Sequence, residues 1–516
     1  MRIKNSIFNM IAAFSSQIIM VLLGFFSRTV FISTLGSEYL GVSGLFTNIL
    51  SLISLAESGI GSSIVFCLYK PVADKDEEKI ITLINLYKKA FLFISFLVLI
   101  IGITLLPFIK YFINGDSNIE NLYLIYTIFV FNSAITYLFS YKITFLNVCQ
   151  KSYIVTSITT LFSIVAVIIK MIILYLTQNY ILYLIVDSII TVITQLCLSK
   201  KADKLYPYLK RKPTQKLDSV TQAAIIKNIK SLIIHNIGGR VVFGTDNLLI
   251  SSFVSVIAVG LYSNYLIFIN LARSLINTIF NSIENSFGDL IAHQEKEKIY
   301  LVYRAMNLCV FWLNSSFAII MCVCLEPVIE LWLGKNYLMG QSVVIILMIS
   351  FYVSGMRRAI NIVKSKSGIF YEDRFAPLCE ACINLISSII FVKYFGISGI
   401  FMGTIISTLL VPFWIAPKLV YEKVFEKSFS EYLKDYLIHA ISFISTGIVT
   451  ILVCNKISDA NLLLLIGKGL VATLIPNCIY IILFRATNEF RYLFNIINNS
   501  IFRNIKKVSK INFMNN

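Results

Sequence analysis

The amino-acid sequence predicts an all-α polytopic membrane protein. About 14 transmembrane helices are expected, in two six-helix lobes around a central cleft, followed by two C-terminal helices. Four observations carry this. Of 516 residues, 57% are hydrophobic and 14% charged, with a mean hydropathy of +0.80. The apolar runs are continuous over about 20 residues, enough to cross the hydrocarbon layer as a helix, whereas a β-barrel would show alternating segments of about ten. The longest polar stretch, 199–230 (SKKADKLYPYLKRKPTQKLDSVTQAAIIKNIK), is rich in Lys and Arg and holds Pro207 and Pro213. It reads as a linker that parts the apolar runs into two sets of six. Finally, the halves repeat at an offset of 219, matching Ser33 with Ser252, Gly41 with Gly260 and Ser188 with Ser407. Even numbers of spans per half make the repeat parallel, about an axis along the membrane normal.

The N-terminal lobe, 1–200, holds spans at about 7–32, 42–66, 90–110, 122–144, 154–176 and 181–199. A short turn, LGSEYLG (35–41), joins the first two. The segment 70–89 (KPVADKDEEKIITLINLYKK) is charged and amphipathic, as expected of a helix lying on the cytoplasmic interface. After the linker (201–230), the C-terminal lobe, 231–418, places spans at about 231–254, 260–283, 305–326, 341–363, 377–395 and 399–417. Two more, 436–455 and 462–485, complete the set. The tail, 486–516, has Phe490, Phe494, Ile497, Ile501, Ile505 and Val508 on one face, with Arg503, Lys506, Lys507 and Lys510 opposite. That is a basic amphipathic helix suited to acidic headgroups on the cytoplasmic side.

The formal charge of +18 would suggest nucleic acid in a soluble chain. Here it follows from basic loops that hold helices in orientation, so nucleic acid is not an expected partner. About 34 of the 45 Lys and Arg fall on the side of the N-terminus and linker, and about 4 (Lys110, Lys335, Lys393, Lys456) on the other, which places both termini in the cytoplasm. The ten cysteines lie in or beside apolar runs and read as small packing residues, and Cys379-x-x-Cys382 has no second pair or histidine cluster to make a metal site. Gly467-Lys468-Gly469 lacks the rest of a phosphate loop, and no catalytic constellation or metal-ligand set is present, so no enzyme is expected. Gly399-x-x-x-Gly403 reads as helix packing.

The chemistry therefore lies in polar groups at membrane depth. Between Ser231 and Glu284, one helical face carries Asn236, Arg240, Phe243 and Asn247, with His235, Gly239 and Asp246 about 100° away. The next span carries Asn270, Arg273, Asn277, Asn281 and Glu284 on one stripe. A charge at bilayer depth costs roughly 2.5–3.5 kcal/mol, so such stripes must face protein or water. Gln17, Gly24 and Arg28 share a face of span one, and Asn48, Ser51, Ser58 and Ser62 share a side of span two with Glu57 beside them. Lys170 and Lys468, near span ends, are expected to snorkel. Arg28, Arg240, Arg273, Arg357 and Arg358 are candidate substrate-binding cations, with Asn48, Asn236, Asn247, Asn270, Asn277 and Asn281 as polar lining. Pairing of Arg240 with Asp246 or Glu57 is the competing structural reading. Arginines outnumber central acids, so an anionic cargo fits best; the planar fork of Arg grips phosphate oxygens bidentately. Glu57 and Asp246 are candidates for coupling to H⁺ or Na⁺; no other cofactor is expected.

The runs LGSEYLGVSGLFTNILSLISLAESGIGSSIVFCLYKPVADKDEEKI, QKSYIVTSI and GTDNLLIS resemble the polysaccharide-transport branch of the multidrug/oligosaccharidyl-lipid/polysaccharide (MOP) exporter superfamily, above all the Wzx-like flippases of capsular and O-antigen repeat units. The resemblance covers nearly the whole chain. It implies a fourteen-helix, two-lobe fold in the cytoplasmic membrane of a bacterium. The expected cargo is an undecaprenyl-diphosphate-linked oligosaccharide, flipped by alternating access on an ion gradient or the membrane potential. Other polysaccharide-assembly membrane proteins fit the same setting as partners. Cationic cavity residues are used by such flippases, and Arg28, Arg240, Arg273 and Arg357 are the positions here that could serve. Two alternatives stand beside this: a multidrug or small-molecule antiporter of the same superfamily, which would want an acidic cavity, and an integral-membrane glycan polymerase or ligase, which would want a larger outer loop than the ~14 residues near 327–340.

Overall fold

A computed structural model describes residues 2–57, 60–113, 119–213, 217, 222, 225–226, 244–369, 372–457 and 461–495. The described chain is helical throughout, and twelve of its helices are long and apolar enough to cross a membrane. The difference from fourteen has two sources. Expected spans one and two are a single helical run, and most of span seven (231–243) lies outside the described residues. The chain divides into two compact units, Met1–Ser263 and Asn264–Asn516.

In the first unit, α1 (Arg2–Ile53) would be ~78 Å long if straight, more than twice the ~30 Å hydrocarbon layer. Gly36 interrupts it at φ 81°, ψ −177°, a backbone position open to glycine and closed to almost any other residue. The turn expected at 35–41 is thus compressed into one residue. Span two does not run unbroken to 66. It gives way to a 3₁₀ turn (Ser54–Glu57) and resumes as α2 (Ile60–Asp74).

The interfacial helix expected at 70–89 is absent. Asp76 caps α3 (Glu77–Leu105), its Oδ1 accepting from Lys79 N at 3.0 Å, with Glu77 and Glu78 favourably placed in the first turn. Ile80, Ile81, Leu83, Ile84 and Tyr87 are buried, so the charged segment is the first turns of span three rather than a surface helix. Then follow α4 (Leu122–Val148), α5 (Ser152–Thr177), α6 (Tyr180–Leu205) and α7 (Asp246–Phe253). Asn179 caps α6 through its Oδ1, closing the α5–α6 hairpin. Lys170 does not snorkel: its Nζ meets Asp187 on α6 and lies 4.7 Å from the Tyr183 ring, so the two charges neutralise each other at depth. Lys468 in the second unit is likewise buried.

The expected linker is in part a packed strap. Tyr206, Tyr208, Leu209, Leu217 and Ile225 join a core built by Ile80, Ile84, Tyr87, Phe145 and Val148. Lys151 lies 4.7 Å over the Tyr206 ring. Burial pushes the Cys149 thiol up, against the lowering influence of Tyr206 and Lys151, and lifts the Tyr208 phenol to about 12.

α8 (Val256–His293) begins where Ser255 Oγ accepts from Ala258 N at 3.1 Å. Its first turn crosses α1 at unusually short range. A Cβ on Gly41 would stand 1.9 Å from Val256 O, and one on Gly260 2.1 Å from Ser37 O. Ser37 and Val256 differ by the same 219 positions as Gly41 and Gly260 (256 less 37; 260 less 41), so the contact is reciprocal between repeat-equivalent segments.

The second unit continues α8 and adds α9 (Lys296–Leu333), α10 (Gln341–Met356), α11 (Arg358–Lys366), α12 (Ala376–Phe395), α13 (Ile397–Leu410), α14 (Pro412–Val420), α15 (Phe429–Cys454) and α16 (Leu462–Phe484). Span twelve is interrupted at Val411, the residue before Pro412, where the backbone is distorted to φ −117°, ψ −74°. Gly399 and Gly403 let α12 and α13 touch at Phe391 and Ser388, the packing role expected of that motif. A polar ladder fastens α15 to α9. Lys296 meets Glu426, Tyr300 Oη donates to Glu431 at 2.8 Å, and Arg304 reaches Asp435 at 3.2 Å and Glu489 at 2.9 Å. Beyond it, His439 stacks on Phe311 with centroids 4.4 Å apart. The tail's first turn joins the same seam through Phe490, stacked on Trp312, while the rest of the expected amphipathic helix, from 496, lies outside the described residues.

Candidate substrate site

In the first unit, Arg28 is half-buried on α1 and its Nη1 donates to Ser263 Oγ at 3.0 Å. Asn48 is half-buried on the same helix. Glu57 is half-buried in the 3₁₀ turn, not deep inside a continuous span. Asp246 and Asn247 are buried at the start of α7, and Asn247 Oδ1 has no hydrogen-bond partner among the described residues. Arg240 and Asn236 lie outside the described residues.

In the second unit the stripe on α8 is real. Asn270, Asn277 and Asn281 are exposed along it, with Arg273 and Glu284 half-buried between them. Arg273 approaches the Phe351 ring on α10 at 5.9 Å, which shields one side of the guanidinium. At the far end of the stripe α11 supplies two cations. Arg358 Nη2 donates to Asn281 Oδ1 and stands 3.7 Å from Glu284 Oε2; Lys366 Nζ is 3.3 Å from Glu284 Oε1. Among the described side chains, three cations thus share a stripe of amides with one carboxylate.

The neighbouring Arg357 points elsewhere. Both terminal nitrogens grip Glu380, at 2.6 and 3.1 Å, and Thr408 Oγ1 donates to the same carboxylate at 3.3 Å. Glu380 is only 3% exposed. Around it Asn384 Nδ2 donates to Thr404 Oγ1 at 3.0 Å, a buried polar cluster across α12 and α13. Sequence reasoning missed this cluster and Lys366. Glu380, Asn384, Thr404 and Thr408 follow helical spacing on two different spans, and no periodicity within one span reveals a pairing across two.

No protein-family model and no curated protein matches this sequence. Solved structures do. The chain is similar to a lipid II flippase, MurJ, in an inward closed conformation, with TM-score 0.64 at 15% identity over 93% of this chain and 99% of that one. It is similar to an inward-facing multidrug resistance MATE family transporter of the MOP superfamily, with TM-score 0.58 at 13% identity over 77% and 93%. The Vibrio cholerae MATE transporter VcmN gives TM-score 0.57 at 15% identity over 82% and 99%. The fold is that of these membrane transporters. At these identities the likeness is one of backbone architecture, and the fold carries more than one kind of cargo in those proteins. The choice of cargo therefore has to come from this chain's own side chains.

Proposed function

We propose that this protein is a flippase for undecaprenyl-diphosphate-linked oligosaccharide repeat units in the bacterial cytoplasmic membrane, working by alternating access. The observation that carries the reading is the α8–α11 face, where Arg273, Arg358 and Lys366 stand among exposed asparagines with Glu284 as the one described acid. A diphosphate demands compensating positive charge when it leaves water, and amides suit the sugar hydroxyls. The lipid chain can stay in the bilayer. Arg28 and Arg240 are further cations proposed for the same cargo, with Asn48, Asn236 and Asn247 as lining. A multidrug exporter, the reading that the MATE likeness brings, would want an acidic cavity rather than this cationic face. In a strain lacking its oligosaccharide flippase, expression should restore surface polysaccharide. Failure at normal membrane levels, alongside acquired drug resistance, would favour the exporter.

The proposed orientation, with termini and linker in the cytoplasm, is checked by labelling a single cysteine placed at exposed Arg211. Reaction with an impermeant maleimide on intact cells would reverse it. Glu57 and Asp246 are proposed to couple transport to H⁺ or Na⁺. Glu57→Gln or Asp246→Asn should therefore flatten the dependence of flux on pH or on sodium. Normal flux with unchanged ion dependence in both variants removes that role.

A further inference from the structure

Glu284 is the one acid described on the α8–α11 face, and it is held more loosely than the tightly paired acids of the second unit. Arg357–Glu380 and Lys423–Glu372 each close at 2.6 Å, and Lys364–Asp373 is tighter still. Glu284 instead divides its two oxygens between two cations, at 3.7 Å from Arg358 and 3.3 Å from Lys366, and all three side chains are 27–30% exposed. Among the described side chains, one carboxylate bridging two cations leaves a positive charge in excess. A donor is also unspent, because Arg358 Nε is buried without a hydrogen-bond partner among the described residues. Gly288, one turn on, keeps the approach open: a Cβ there would stand 3.3 Å from Lys366 Cδ and push on its stem.

We propose that Glu284 is a displaceable internal counter-ion, occupying the Arg358–Lys366 pair in the empty protein and giving way to the diphosphate of a lipid headgroup. The inference rests on reading this face as the substrate face. A carboxylate offers two oxygens and one charge; a diphosphate offers more of both, so exchange favours the ligand. While the site is empty, Glu284 keeps two like charges close together. It also competes with the headgroup and so limits how tightly cargo is held, which suits a carrier that must release it.

The alternative role is purely structural, with Glu284 fastening α11 to α8. Titration separates the two. Full-length protein in lipid nanodiscs is titrated with inorganic pyrophosphate and, separately, with farnesyl diphosphate. Glu284→Gln should lower the Kd for both by about fivefold, the scale of losing two partly exposed ion pairs as competitors. Arg358→Gln combined with Lys366→Gln should abolish both. Unchanged or weaker binding in Glu284→Gln overturns the proposal, as does binding that survives loss of both cations or binding absent from every variant. Tightening for pyrophosphate alone overturns the lipid-headgroup assignment. If both ligands tighten but no lipid-linked oligosaccharide is moved, the flippase reading fails and the counter-ion stands.

Discussion

Glu380→Ala is expected to cost about 3–5 kcal/mol of stability, because it strands Arg357 beside a buried site with no partner for its fork. The carboxylate accepts from Arg357 at 2.6 and 3.1 Å and from Thr408 at 3.3 Å, and Glu380 itself is only 3% exposed. Replacing both charges, as Arg357→Met with Glu380→Leu, should recover most of the loss, since an apolar pair of similar volume escapes the desolvation cost altogether. Thermal unfolding of detergent-solubilised protein, followed by size-exclusion fluorescence, reads both variants. A parental melting temperature in Glu380→Ala would contradict the pairing. A folded double variant that no longer transports would show that Arg357 also serves the cargo.

Gly260→Ala and Gly41→Ala should be nearly as damaging, for a steric reason. Each new Cβ would press within 1.9–2.1 Å of a carbonyl oxygen on the opposing helix. Neither obstacle is a side chain that can rotate away, so the cost should meet or exceed the ~1–3 kcal/mol usual for overpacking. Gly44→Ala meets two side-chain atoms, Val259 Cγ1 at 3.2 Å and Asn247 Nδ2 at 3.7 Å, and Gly24→Ala meets nothing within 4 Å. These two should be mild and neutral respectively. The same thermal measurement gives the order of the four, and a Gly260→Ala protein as stable as Gly24→Ala would refute the close crossing.

Much of the fold was legible because membrane spans announce themselves by length and apolarity. The expected spans at 122–144, 154–176 and 462–485 fall within α4, α5 and α16 to a few residues. The failures came where a local feature is decided by distant partners. The segment 70–89 looks interfacial by its charges, yet Asp76 caps it and Phe145 and Ala134 help bury its apolar side. The break at Gly36 falls in the turn expected at 35–41, whereas the one at Val411 was missed, being visible only as a pre-proline residue in an apolar run.

The stripe of α8 was legible in full, since one helix sets its own face. Which cation holds which acid was not. Arg304 takes partners 131 and 185 positions away (435 less 304; 489 less 304), and Arg357 and Arg358, adjacent in sequence, point to Glu380 and Glu284 respectively. Adjacent helical residues diverge by about 100°, so neighbours in sequence need not share a site.

Whether the cationic face of α8 and α11 moves a diphosphate-linked sugar is read most directly in reconstituted vesicles. Purified protein is incorporated with a fluorescent undecaprenyl-diphosphate oligosaccharide, and the fraction reaching the outer leaflet is measured by its accessibility to a lectin. Arg273→Ala with Arg358→Ala should slow this flux by at least about tenfold, as expected when phosphate-binding forks are lost. The corresponding lysine pair should keep part of it, because charge persists without the fork. Flux at the parental rate in the alanine pair, at equal protein content, would contradict the assignment.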